Sequence, residues 1–481
     1  MTTKSDHVGA SPDENWRASA HLVGWTLRRH IIPFTIAAAL AALIWMAPQG
    51  LEAEGRIVLI VLSSAIIGWT MTEIGDTSVA VAAAVAMVLL GAIKSNDVYK
   101  SLGHELIWLL IAAFVLAAVI RSAGLIDPLL KIASGRTVSV SRLFYGLTAV
   151  IAATSLFIPS TSARAALFLP VFISLADEIR SPPIIRALAL LFPTVILLSA
   201  SGSLIGAGAH IIASEVIDQK ADRSISYLEW MALMMPIALL SSFAATTIIL
   251  LSFLPRKLRA HRIQLARRAD MQRDNRKTAM LVTLAMTMTL WVTQPLHGLG
   301  MGITGLAGAC VMLQLAKPIL KAKDAFKSVE IELVVFVALA FVMADAMIET
   351  DVDEWLADIF KNFVPGLGRI HTGFVVAVVI LVALVSHLLI TSRTARAAVL
   401  IPSLVIPLGE LGADITILVL ATIVGTGLCQ TMSVSSKPVA IFANASIETY
   451  SSTDLLKLSA MLFPVMFALI LFFALFVWPW Q

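Results

Sequence analysis

Nine stretches of this chain are apolar over 17 to 28 residues: 31–48, 56–74, 77–93, 104–124, 227–254, 279–295, 300–316, 329–349 and 453–480. A helix rises about 1.5 Å per residue, so such runs match the ~30 Å hydrocarbon core of a bilayer. Lipid offers the backbone no hydrogen-bond partner, so only helices and closed barrels span it. A barrel would show alternating segments of about ten residues. These runs are continuous, and the chain reads as an all-α polytopic membrane protein. Its 14% charged residues fall far below the roughly 25% of soluble domains. That balance excludes soluble enzymes, disordered chains and disulfide scaffolds. Cys310 and Cys429 sit in apolar segments and carry no redox signal. The net charge of +4 reads as the Lys/Arg excess of cytoplasmic loops, not as a nucleic-acid signal.

Four more regions are apolar but broken. Regions 187–218 and 413–447 are interrupted by Gly, Ser and Pro, and regions 141–178 and 370–408 each contain one polar break. The first pair reads as broken spans and the second as re-entrant hairpins. The sum is about 11 transmembrane helices plus two re-entrant hairpins. The segment Arg256 to Lys277 carries nine Lys/Arg and two Asp, so it belongs in the cytoplasm. Counting from it puts the N-terminus, Arg121, Lys131, Arg136, Arg142, Arg180 and Arg186 inside. Lys317, Lys321, Lys323 and Lys327 are also inside; Glu349, Asp351, Asp353 and Glu354 are outside. The C-terminus is outside, with Trp478-Pro479-Trp480 as an interfacial anchor. The first apolar run ends at Pro48-Gln49-Gly50 without a small-residue cleavage site, so it reads as a retained span of an inner-membrane protein.

Residues 160–170 read STSARAALFLP and residues 392–402 read SRTARAAVLIP, identical at six of eleven positions. A second match pairs ELIWLLIAAF from Glu105 with ELVVFVALAF from Glu332. The chain is therefore two related halves, and the helix count between them makes an inverted two-fold repeat. Such repeats mark secondary transporters with a site near the midplane. The organisation expected is a tail over 1–30, scaffold helices over 31–100, and a first repeat over 101–218 with an inner hairpin at 141–178. Scaffold helices follow over 219–327 with the basic loop 256–277; then come the second repeat over 328–447 with an outer hairpin at 370–408, and a last helix within 448–481.

Irregular backbone at bilayer depth is tolerated where it lines a cavity or is buried in protein. Each hairpin tip is rich in hydroxyls and is followed by a helix start, which favours anions. The expected substrate ligands are Ser160, Thr161, Ser162 and Arg164 at one tip, Ser392, Arg393, Thr394 and Arg396 at the other, and Ser436 and Lys437. The broken spans supply elbows at Ser201, Gly202, Ser203, Gly206, Ala207 and His210, and at Thr431, Ser435 and Pro438. Arginine and lysine at bilayer depth cost at least about 2.5–3.5 kcal/mol and mark ion or substrate paths. His210 is the ready proton carrier among the elbow residues. Glu105 and Glu332 read as span-end carboxylates, and Asp345 lies inside an apolar span. No metalloprotease, nucleophile-elbow, Walker or paired-cysteine motif is present, so an enzyme or an ATP-driven pump is disfavoured.

On these tips and elbows the sequence resembles the divalent anion/sodium symporter family, relatives of citrate, dicarboxylate and sulfate carriers within the ion transporter superfamily. That family carries Ser-Asn-Thr at each tip, then Ala-Thr-Ala-Ala and a Pro; this chain has Ser160-Thr161-Ser162 and Ser392-Arg393-Thr394, each followed by Ala-Arg-Ala-Ala. Its elbows resemble T-L-I-G-T-P-P-N and P-V-A-T-P-P-N, where this chain has Ser203 to His210 and Ser433 to Val439. The resemblance implies a homodimer, an elevator-type moving domain, substrate between the tips, and sodium at each tip–elbow pair. Thr161, Arg393, His210 and Val439 replace the family's asparagines. A guanidinium repels Na+, and a fixed cation can take its place beside an anion. The reading is a secondary transporter of small multivalent anions, di- or tricarboxylates before sulfate or sulfonates, working as a sodium-independent exchanger or uniporter without cofactor. Na+- or H+-coupled symport, an anion channel and a transporter-like anion sensor are the alternatives.

Overall fold

The computed structural model describes residues 31–46, 50–125, 135, 137–221, 223–264, 274–363 and 372–478. The tail 1–30, Lys131, Arg136, residues 265–273 of the basic loop, residues 370 and 371 of the second hairpin, and Pro479 and Trp480 lie outside the described residues.

The first half contains α1 (Ile31–Met46), α2 (Ala53–Met71), α3 (Asp76–Leu89), α4 (Ser95–Leu102) and α5 (Glu105–Ser122). It continues with α6 (Val140–Ala153), α7 (Thr161–Ile179), α8 (Pro182–Ser199), α9 (Gly208–Ala221) and α10 (Tyr227–Phe253). The second half contains α11 (Asn275–Val292), α12 (Met301–Ala316), α13 (Ile331–Glu349), α14 (Val352–Phe363) and α15 (Thr372–Val385). It ends with α16 (Arg393–Leu400), α17 (Ile415–Gly425), α18 (Lys437–Ala443) and α19 (Ser452–Phe472). Among the described residues six helices are long and apolar enough to cross a membrane, and six apolar helices are shorter. The expected spans at 31–48, 77–93 and 300–316 fall in the shorter class, as α1, α3 and α12.

Polar residues fix the helix starts. Ser139, Ser226, Asp274, Asp414 and Ser451 each accept a hydrogen bond from the first turn of the helix they precede, satisfying donors that lipid would leave bare. One element departs from the all-α expectation: Thr137–Ser139 (β1) and Arg262–Gln264 (β2) form an antiparallel pair.

Both expected hairpins contain two helical arms with an irregular tip, α6 with α7 and α15 with α16. Both broken spans are broken, between α8 and α9 and between α17 and α18. The packing crosses between the halves. Helix α9, after the first elbow, lies against α16 and α17; α18, after the second elbow, lies against α7 and α8. Each elbow thereby carries the chain onto the other half's hairpin. Helix α8 is buried along nearly its whole length, whereas α2 and α19 bury only about a third of theirs.

Long-range polar contacts sort the loops into two sets. In one, β1 pairs with β2, Arg186 meets Glu448 and Asp454 at 3.8 Å, Arg121 donates to Ser328 at 3.3 Å, and Lys457 donates to the carbonyl of Ser252 at 3.3 Å. In the other, Lys220 binds Asp353 at 2.5 Å and Glu410 at 2.8 Å, and Gln219 donates to Asp345 at 2.7 Å. That second set also holds the amide of Gly302, which donates to Glu105 at 3.1 Å, and the pair of His104 with Glu215 at 2.9 Å. The root of the first hairpin belongs to the basic set and the foot of the second to the other. The bond from Glu215 raises the His104 imidazole above its ordinary value against the opposing effect of burial, with the charges of Glu215, Glu105 and Asp345 adding.

Candidate functional site

The repeated Ser-x-x-Ala-Arg has one local explanation in both tips. Ser160 caps α7 by accepting from the amide of Ala163 at 3.2 Å, and Ser392 caps α16 by accepting from Ala395 at 3.3 Å. The arginine four residues on lies one turn along the helix, on the capping serine's face. From there the two copies diverge.

Arg164 is fully buried. Its guanidinium donates to the carbonyls of Ile151 and Ile196 at 2.6 and 3.0 Å, and to the hydroxyls of Thr154 and Ser199 at 3.2 and 2.8 Å. It ties its own hairpin to the end of α8. Arg164 was expected among the anion ligands; here its bonds run to protein acceptors. Arg396 is equally buried, but donates only to the carbonyl of Ser392 at 3.4 Å and the Cys429 sulfur at 2.8 Å, and its Nη1 has no partner. Arg393 reaches across the halves, to the carbonyls of Leu197 at 3.3 Å and Ile423 at 3.0 Å and to the Thr426 hydroxyl at 3.4 Å. Among the described residues, none of these three guanidiniums bonds a carboxylate.

The first elbow is built from two 3-10 turns, Ala200–Gly202 and Leu204–Gly206. Gly206 is required there, since a Cβ would stand 2.1 Å from the carbonyl of Ala200. Ser201 bonds back to Leu198, and Ser203 meets the Tyr227 hydroxyl at 3.2 Å. His210 Nδ1 lies 2.8 Å from the carbonyl of Ser203. A carbonyl only accepts, so Nδ1 carries a proton, and Nε2 is left to accept one or to bond a further partner. That Nε2 is buried without a partner, and the ring packs against Trp230 at 5.6 Å. Gly202 and Ala207 are buried within the turns. At Gly208 a Cβ would stand 2.9 Å from Leu333 and 3.3 Å from Thr394, so elbow, second tip and α13 meet there.

At the second elbow, Gln430 accepts from the Cys429 amide at 2.9 Å while its buried Nε2 is unpartnered. Thr431 bonds His387 and Ser459, both at 2.6 Å. Ser435 closes a local turn on Met432, Ser436 caps α18, and Pro438 is buried in its first turn. Lys437, expected in the chamber, is exposed. Thr161 and Ser162 are half-buried beside Ser160, whose hydroxyl donates to Glu330 at 2.6 Å.

The structure thus gathers Arg393, Arg396, Thr394 and the Gly208–His210 turn around the second tip, and separates Lys437 from them. Sequence reasoning missed Thr154, Thr426, Cys429 and Gln430, which receive or flank the guanidiniums; Ser199 it placed only in the first elbow, with no bond to Arg164. One signal was present: Thr154 and Ser386 occupy equivalent places in the repeat. Nothing marked Glu330 or Gln430.

Residues 57–425 match the family described as citrate transporter. The chain belongs to that family. It is a secondary anion transporter of the membrane, within the ion transporter superfamily that the tips and elbows indicated. It is 24% identical over 302 residues to a 46 kDa membrane protein of Mycobacterium leprae, covering 59% of this chain and 66% of that one. It is 22% identical over 475 residues to a membrane protein of Cupriavidus necator, covering 92% of this chain and 91% of the other. The crystal structure of the Alcanivorax borkumensis YdaH transporter has the same fold, with a TM-score of 0.62 and 15% identity over 89% of this chain and 99% of that one.

Proposed function

We propose that this family member carries a small multivalent carboxylate, citrate or a dicarboxylate, by sodium-independent exchange or uniport. Arg396 carries the proposal: a buried guanidinium with one nitrogen unpartnered and no carboxylate bonded to it. A buried charge without a counter-charge is strongly unfavourable, and a travelling carboxylate supplies the missing partner through a two-pronged bond. Gln430 Nε2, also buried and unpartnered, adds a neutral donor near Cys429. Four neighbouring carbonyls, of Ile151, Ile196, Leu197 and Ile423, accept from guanidinium N–H groups, and a guanidinium beside them opposes Na+ binding. In this reading Arg396 faces substrate, Arg393 and Arg164, whose bonds run to protein acceptors, position the two tips, and Thr394 and Ser392 supply hydrogen bonds.

The two loop sets support opposite openings for the hairpins. In this proposal the basic set faces the cytoplasm, the second hairpin opens outside, and a homodimer in the inner membrane moves its hairpins and elbows as an elevator against the scaffold helices of 31–100 and 219–327. Sulfate and sulfonates rank after the carboxylates in this proposal. Proton coupling at His210 is a second reading, favoured by its orphan Nε2. The test is citrate counterflow in proteoliposomes with sodium replaced by choline. Retained, trans-stimulated exchange supports the carrier; loss of most transport refutes sodium independence; ohmic current without counterflow refutes the carrier in favour of a channel. An inward proton gradient that accelerates net uptake in the wild type and not in His210→Gln would favour the second reading.

A further inference from the structure

A second basic site lies at the root of the first hairpin, separated from its tip by the 14 residues of α6. A cavity of about 500 Å³ is lined there by Ser139, Ser141, Arg142, Arg256, Arg259 and Arg262. Two separate parts of the chain build it. The β1–β2 pairing sets Ser139 opposite Arg262, the Val140 amide donates to the carbonyl of His261 at 3.0 Å, and the Ser141 hydroxyl donates to the carbonyl of Arg259 at 3.2 Å. The backbone therefore holds four guanidiniums together against their mutual repulsion. Among the described residues no carboxylate lines the cavity, and the Arg259 Nε is buried without a partner. Arranged donors of one sign around a hollow call for an anion.

We propose that this cavity binds a phosphate group, from an acidic phospholipid or a soluble polyphosphate. Guanidinium forks and serine hydroxyls match the tetrahedral array of phosphate oxygens. Basic pockets beside transmembrane helices suit acidic headgroups, and Leu251 at the adjoining end of α10 is exposed as a lipid-facing residue would be. Bound phosphate bridges Arg142 on α6 to Arg259 and Arg262 beyond α10. It thereby fastens the hairpin root to the connector without touching the tips.

The experiment is thermal unfolding of the purified full chain in neutral detergent, titrated separately with dioctanoyl phosphatidylglycerol, dioctanoyl phosphatidylcholine and pyrophosphate. Phosphatidylglycerol or pyrophosphate is expected to raise the midpoint, and phosphatidylcholine is not. Each arginine removed weakens the effect about fivefold, so R142Q/R262Q shifts the half-saturating concentration by about 25-fold. R276Q, outside the cavity, leaves it unchanged. Half-saturation at far lower phosphatidylglycerol than pyrophosphate assigns the lipid, and the reverse order assigns the soluble phosphate. If the double variant does not purify folded, R259Q alone must show the fivefold shift. The proposal is overturned if neither ligand shifts the wild type, or if the lining variants respond as R276Q does. The readout needs no transport, so it stands or falls apart from the carrier reading.

Discussion

The two hairpin tips carry nearly the same sequence and use it differently. Ser160 and Ser392 both cap a helix, and Arg164 and Arg396 both follow one turn later. Arg164 meets two carbonyls and two hydroxyls from its own arm and from α8. Arg396 meets one carbonyl and one sulfur and keeps a nitrogen free. The first tip is also docked, through Ser160, on Glu330 at the start of α13. For the second tip the cross-half contact comes from Arg393 instead. A repeated motif thus establishes a shared backbone device; the surroundings decide whether its charge is structural or available.

The strongest test of that contrast exchanges each arginine for glutamine. Arg396→Gln is expected to lower citrate transport by about 100-fold, equivalent to ~3 kcal/mol of lost charge pairing, with its unfolding temperature unchanged or raised. Arg164→Gln is expected to lose about 2–4 kcal/mol of stability, because buried carbonyls lose their donors. Unfolding temperature and counterflow on the same preparations check both. Reversed behaviour of the two variants would break the contrast.

The elbows sharpen it. A Cβ at Gly206 would lie 2.1 Å from a backbone carbonyl, and at Gly427 3.0 Å from another. Gly206→Ala is therefore expected to cost about 3 kcal/mol, and Gly427→Ala clearly less. Equal losses in thermal unfolding would remove the distinction between a packed first elbow and a looser second one.

The smallest expected effect concerns His104. Its value is raised by Glu215, so the pair's contribution is complete below about pH 6.5 and fades as pH rises through the elevated value. The ring is partly exposed, so the effect stays under about 1 kcal/mol. Glu215→Gln should flatten the fall of unfolding temperature as pH rises above about 6.5; an unchanged slope would remove the pair from the account.

Much of the fold was legible because lipid allows so few backbone solutions. Continuous apolar runs located helices, and polar breaks inside them located the irregular segments between α6 and α7, α8 and α9, α15 and α16, and α17 and α18. One helix end shifted by a few residues where the Asp274 cap starts α11 at Asn275, ahead of the apolar run expected from 279. The β1–β2 pair was hidden because three-residue strands leave no periodicity to read. At the site, the repeat identified Arg164 and Arg396, but their difference depends on Ile196, Ser199 and Cys429, which arrive from the elbows. Lys437 shows the same limit: its helix start was readable, its exposure was not. Depth, partner and orientation are set by packing between halves, to which a motif within one half is blind.

The most direct measurement is calorimetric binding of citrate to the purified protein in sodium-free choline buffer, wild type against Arg396→Gln. The account predicts clear binding to the wild type, unchanged when sodium is added, and at least about tenfold weaker binding to the variant. Binding that requires sodium, or that is equal in the two proteins, would contradict it.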